Sequence, residues 1–120
     1  MKFIIVSFIF FLSTSLYSAD GDNYFCESTN VVKVYKLNTE NFQTFDFNFK
    51  KNKSNISFGK GGYFDEQKIS VNFTAGEYFY GGDDWDIFIY NDGIFTYSSL
   101  LNAGEDDVDS LTIIAKCKTF

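Results

Sequence analysis

Apolar and polar residues alternate with a period of two along most of the chain after residue 20, and no segment shows a convincing helical period. The clearest example is Phe45–Phe49, in which three phenylalanines alternate with Asp46 and Asn48. This pattern predicts a strand with one buried face. The predicted strands cover 24–35, 45–49, 55–58, 69–73, 78–80, 85–90, 94–97 and 111–117.

The strongest turn signal is Asn91-Asp92-Gly93, which lies between two apolar runs. Asp and Gly tolerate the positive φ that primed hairpin turns require, so we expect a β-hairpin here. About eight short strands at regular spacing predict a single small antiparallel all-β domain. An up-and-down β-barrel is the favoured architecture and a β-sandwich is the alternative.

The first nineteen residues have the pattern of a signal peptide. Lys2 precedes an apolar run over 3–12, and small residues follow up to Ala19. The apolar run is shorter than the roughly 20 residues that span a bilayer. We therefore expect residues 1–19 to be removed and the mature domain to cover 20–120, in the periplasm or outside the cell. A retained membrane anchor is the alternative.

Two cysteines, Cys26 and Cys117, lie near the two ends of the mature chain. In an exported protein an isolated pair predicts a disulfide bond. The bond would close a loop of roughly 90 residues, for which the chain-entropy model gives about 4–5 kcal/mol of stabilisation. It also requires the first and last strands to approach each other, which favours a closed barrel over a sandwich.

Charge excludes several classes of partner. The chain carries 10 Lys+Arg against 16 Asp+Glu, a net charge of −6, and contains no arginine or histidine. Nucleic acids and anionic membrane surfaces are therefore poor partners, because both are bound through basic side chains. The absence of histidine removes the commonest metal ligand and any Ser/His or Cys/His pair for nucleophilic catalysis.

Acidic residues concentrate in the predicted connections. In an up-and-down barrel the connections at 59–66, 81–84 and 100–109 fall at one end, which predicts one acidic rim. Closely spaced carboxylates can bind calcium, although a solvated loop that aids solubility is the favoured explanation. The calcium candidates are Asp83, Asp84, Asp86, Glu105, Asp106, Asp107 and Asp109.

Two further hypotheses concern other side chains. Glu77, Asp83 and Asp86 are the carboxylates available for a small hydrolase, in which such groups act in pairs. Aromatic residues on neighbouring strands could stack on a sugar ring or line a cavity, although core filling also explains them. We expect Trp85 to point inward as a core anchor. The aromatic ligand candidates are Tyr78, Tyr80, Trp85, Tyr90 and Tyr97.

The segment Asn91–Tyr97, together with the ending Ala115–Phe120, resembles uncharacterised small exported proteins of marine bacteria. Its features are a hairpin followed by a terminal strand that contains a cysteine. The resemblance covers about the last third of the chain, with the signal and the early cysteine. It implies export and a disulfide-closed β-domain, and no particular activity.

Together these observations favour an exported, non-enzymatic β-domain that acts as a structural or binding module. We expect a monomer without a cofactor, whose partner is a small ligand, a glycan or a protein. A carboxylate-based hydrolase and a calcium-stabilised module are the alternatives.

Overall fold

The computed structural model describes residues 21–101 and 109–119, and the regular structure within these ranges is entirely β. No helix long and apolar enough to cross a membrane occurs in this part of the chain. The strands are β1 (Asn23–Tyr35), β2 (Asn38–Asn41), β3 (Asp46–Lys51), β4 (Asn55–Phe58), β5 (Lys68–Ala75), β6 (Tyr78–Gly82), β7 (Asp86–Asn91), β8 (Ile94–Leu101) and β9 (Asp109–Thr119).

The sheet closes into a barrel. Antiparallel pairing joins β1 to β3, joins each later strand to its neighbour in the chain, and joins β9 back to β1. The barrel therefore has eight strands, β1 and β3 to β9, and the predicted up-and-down barrel is confirmed. The β-sandwich alternative is wrong, because β1 and β9 pair edge to edge from Tyr24–Thr119 to Tyr35–Asp109.

The extra strand, β2, is the element that the sequence pattern did not predict. The first half of β1 pairs with β3, and its second half pairs with β2 from Val32–Asn41 to Tyr35–Asn38. All four residues of β2 are exposed, so the strand has no buried face to produce an alternating pattern. A register shift between Ser28 and Asn30 in the β1–β9 ladder marks the point where β1 changes partner.

Aromatic rings fill the barrel interior. The largest fully buried side chains include those of Tyr24, Phe49, Phe79, Phe88 and Phe95. Their rings form a connected cluster in which Phe79 stacks on Tyr90 with ring centroids 4.9 Å apart. An eight-stranded barrel is just wide enough for its side chains to fill, so these rings occupy the space that a ligand would need.

The connection between β4 and β5 closes one end of this core. Phe64 projects from it into the barrel, where its ring stacks on Phe58 at a centroid distance of 4.1 Å. The Phe64 ring also meets Phe95 and Tyr97 at right angles. The loop is thus part of the core rather than a mobile cover.

Successive connections alternate between the two ends of the barrel. We call the end that carries 59–67, 83–85, the last residue of β8 and the first residue of β9 the upper end. The main-chain N–H of Leu100 donates to the Trp85 carbonyl at 2.9 Å, so the described parts of two predicted acidic connections do lie together. Lys51, the last residue of β3 at the lower end, is fully buried, and its ammonium group lies 5.4 Å from the Phe79 ring centroid.

The Cys26–Cys117 disulfide bond links β1 to β9, as predicted. The two residues are directly opposite each other in the ladder. The N–H of Cys117 donates to the carbonyl of Gly93, on the side of β9 that faces away from β1. Cys26 and Cys117 are therefore a non-hydrogen-bonded antiparallel pair, the kind in which the two Cα atoms lie closer together. Its Cα atoms are 4.1 Å apart.

Replacing both cysteines, Cys26→Ala with Cys117→Ala, should lower the free energy of unfolding by about 2–5 kcal/mol, because the reduced unfolded chain regains the entropy of an open loop. Urea denaturation of the mature protein measures this loss. The reduced wild-type protein is the control and should lose a similar amount. A loss below about 0.5 kcal/mol in both would contradict this role for the bond.

Candidate functional site

The predicted aromatic ligand residues lie on opposite sides of the barrel wall. Tyr90 and Tyr97 point inward and are buried in the core, whereas Tyr78 and Tyr80 lie on the outer face of β6. Trp85 lies in the connection before β7 and is 58% exposed. The expectation that Trp85 anchors the core is therefore wrong, and the structure does not bring the five aromatic residues together.

A β-bulge in β5 places Phe73 on the outer face of the barrel, although simple alternation would place it on the inner face. Simple alternation places Ile69, Val71 and Phe73 on one face of β5, and Ile69 is indeed buried. The pairing with β6 shifts by one residue between Val71 and Phe73, so Phe73 lies opposite Tyr80 on the outer face. The two rings stack with centroids 5.3 Å apart, and Tyr78 packs at the edge of both.

The outer face of β7 is also apolar. Phe88 and Tyr90 point into the core, and the alternate residues Ile87 and Ile89 remain 61% and 39% exposed. The cross-strand neighbours of Ile87 are Gly82 on β6 and Ser98 on β8, and those of Ile89 are Tyr80 and Thr96. An apolar strip therefore crosses the outer surface from β5 to β7, and the hydroxyl groups of Thr96 and Ser98 on β8 border it.

Next to this strip lies a groove of about 680 Å³, which we call the outer groove. Trp85, Ile87 and Leu100 supply apolar walls, and Ser98 and Thr112 supply hydroxyl groups that are 3.0 Å apart. A smaller depression of about 490 Å³, lined by Tyr78, Ile89 and Thr96 among others, adjoins it and shares Tyr80, Ile87 and Ser98. Volumes in this range suit small-molecule or short-segment ligands.

Two glycines form part of the groove lining. A Cβ atom at Gly82 would overlap the Asp86 carbonyl oxygen, and one at Gly81 would overlap the Ser70 carbonyl oxygen. Only glycine therefore lets β6 approach its two neighbours this closely. The absence of a side chain at Gly82 also leaves a gap in the outward row between Tyr80 and Trp85.

The connection from β6 to β7 places carboxylates at the upper lip of the outer groove. Asp83 accepts a hydrogen bond from the Ser70 hydroxyl at 2.9 Å, and Asp84 is exposed. Asp86 instead faces the barrel mouth, where it accepts from the N–H of Asp83 at 3.2 Å and from the Tyr97 hydroxyl at 3.4 Å. Among the residues that the structure describes, no lysine lines the groove.

The calcium candidates are not assembled in the part of the chain that the structure describes. Within residues 21–101 and 109–119 no three acidic, cysteine or histidine side chains converge on a common point. Asp109 is buried on β9 and pairs with Lys33 at 3.1 Å. Glu105, Asp106 and Asp107 lie outside the described residues.

The hydrolase candidates lie at both ends of the barrel. Glu77 is in the turn between β5 and β6 at the lower end, whereas Asp83 and Asp86 flank the upper connection between β6 and β7. Glu77 therefore cannot act as the partner of either aspartate on one substrate.

Comparisons with protein-family models, with curated proteins and with solved structures gave no match. The assignment of the site accordingly depends on its own geometry.

Burial perturbs the ionisation of two core tyrosines. Loss of hydration raises the pKa of Tyr97 well above its usual value of 10, and a hydrogen bond with Ser99 opposes this while Tyr63 and Asp86 add to it. Burial also raises the pKa of Tyr90, with a contribution from the negative charge of Glu77. Both phenols are therefore held in the neutral form.

Stability should fall as the pH rises above about 10, since the unfolded chain releases these phenolic protons first and the folded chain retains them. Tyr97→Phe removes one such group, so its free energy of unfolding should decrease less between pH 9 and pH 11 than that of the wild type. Urea denaturation at both pH values tests this. An equal decrease in the two proteins would contradict the role given to Tyr97.

Proposed function

We propose that this protein is an exported, non-enzymatic binding module and that its ligand occupies the outer groove. The observation that carries the proposal is the outer groove itself, where Trp85 and Ile87 stay exposed around a concave surface although the interior of the same barrel is filled with rings. Contiguous exposed apolar surface of this kind marks interaction sites in soluble proteins.

The composition of the outer groove supports binding rather than catalysis. Its apolar walls come from Trp85, Ile87 and Leu100, and the polar residues of β8 and β9 that line it carry hydroxyl groups: Ser98, Ser99, Ser110 and Thr112. Asp83 already accepts a hydrogen bond from the Ser70 hydroxyl on β5, and Asp86 accepts one from the N–H of Asp83, which gives both carboxylates a structural role. Glu77 lies at the opposite end of the barrel.

Export is supported by two independent features. The first nineteen residues have the order of a signal peptide. The Cys26–Cys117 bond is compatible with the oxidising conditions of the periplasm or the extracellular space.

Trp85 provides a direct probe of the site, because it is the only tryptophan of the chain and lies on the groove wall. Mature protein should be titrated with three neutral probes of different chemistry: acetyl-leucine amide, chitotriose and 1,6-hexanediol. Trp85 fluorescence and the NMR amide signals of β6 to β8 report binding. We expect at least one probe to shift the signals of the groove residues.

Ile87→Thr should weaken binding of that probe by about 3- to 10-fold, because it removes roughly two buried carbon atoms from the contact. Ile94→Thr is the matched control, since Ile94 is also exposed on the outer face but does not line the groove. The control should keep wild-type affinity. If none of the probes moves the groove signals, or if both variants lose affinity equally, the outer groove is not the binding site.

A further inference from the structure

The residues of the outer groove also indicate the charge of its ligand. This inference rests on the proposed function. Asp83 and Asp84 lie side by side at its upper lip. Neither carboxylate forms an ion pair with a lysine among the described residues. The potential at this lip is therefore negative and is not compensated by the groove lining.

Aromatic surface stands beside these carboxylates. Trp85 follows Asp84 directly in the chain, and Tyr80 lines the same groove. The face of a tryptophan or tyrosine ring attracts a cation, and a neighbouring carboxylate strengthens that preference. An anionic ligand would be repelled both by the lip and by the net charge of −6.

The aliphatic part of the outer groove indicates what else the ligand carries. Ile87 and Leu100 offer no hydrogen bonds, and with Ile89 in the adjoining depression they form a surface suited to branched apolar side chains. A polyhydroxylated ligand would leave its hydroxyl groups unpaired against them. A chain with alternating aliphatic and cationic groups would satisfy both surfaces.

The closed sheet restricts how such a ligand is recognised. Each of β6, β7 and β8 is hydrogen-bonded on both sides, so no strand edge is available at the groove for a peptide to extend the sheet. Contact must therefore be made by side chains. A second copy of this chain is a poor occupant, because two molecules of net charge −6 repel each other.

We propose that the ligand of the outer groove is a basic peptide segment of another protein, with an aliphatic side chain on Ile87 and Ile89 and a lysine or arginine beside Asp83, Asp84 and Trp85. The two connected depressions, of about 680 and 490 Å³, provide room for more than one side chain.

The test compares peptides of the same length that differ in charge. Mature, disulfide-bonded protein is titrated with the acetylated and amidated tetrapeptide of sequence Leu-Lys-Leu-Lys, followed by Trp85 fluorescence. The same peptide with both lysines acetylated is the neutral comparison. We expect the cationic peptide to bind about tenfold more tightly at 20 mM salt and to lose most of that advantage at 0.5 M salt, because the lip is exposed to screening.

Asp84→Asn should weaken binding of the cationic peptide by about threefold and leave the neutral peptide unaffected, since only the charge at the lip changes. Asp92→Asn is the matched control, because Asp92 lies in the β7–β8 turn at the lower end and asparagine tolerates its φ of 50°. The control should retain wild-type affinity for both peptides.

Four outcomes would overturn the inference. If the neutral peptide binds the groove as tightly as the cationic one, the proposed function stands and the charge preference falls. If neither peptide binds but a neutral probe does, the ligand is not a basic peptide. If Asp92→Asn weakens binding as much as Asp84→Asn, the effect reflects net charge alone. If spermidine displaces the peptide at equal concentration, the ligand is a small polyamine rather than a peptide.

Discussion

The antiparallel ladder between β1 and β9 is the constraint on which the rest of the structure depends. It joins the first strand to the last, and the Cys26–Cys117 bond ties the two strands covalently. Closure with eight strands sets the width of the interior, and large rings such as Phe49, Phe79 and Phe88 then fill it. Because the interior is filled, the proposed ligand can bind only at the outer face, and because the sheet is closed, that face offers side chains rather than strand edges.

The outer groove arises from departures from regular β-structure. The bulge between Val71 and Phe73 turns Phe73 outward against Tyr80, and Gly81 and Gly82 allow β6 to lie closer to its neighbours than any side chain would permit. Irregularities of this kind change the direction in which side chains point from a sheet. The bulge therefore provides the aromatic pair beside the groove, and the two glycines, which remain paired in the sheet, line its concave part.

The sequence predicted the features that depend on local chemistry and failed where the two faces of a strand look alike. The turn at Asp92-Gly93 was predictable because both residues adopt the positive φ that the hairpin needs. The orientation of Trp85 was not, since Ile87 and Ile89 alternate with Phe88 and Tyr90 and either face of β7 could be the inner one. The exposed strand β2 gave no signal, because a strand without a buried face has no alternating pattern.

The ambiguous pattern of β7 is itself informative about function. A barrel strand with a solvated outer face needs apolar residues on its inner face alone, and Phe88 and Tyr90 meet that need. Exposed isoleucines at Ile87 and Ile89 contribute little to the stability of an isolated monomer, but they provide the apolar surface that a partner can bury. The carboxylates come from a different element, the connection at Asp83 and Asp84. Since loops tolerate substitution more readily than paired strands, the proposed charge preference of the groove can change while its apolar surface is retained.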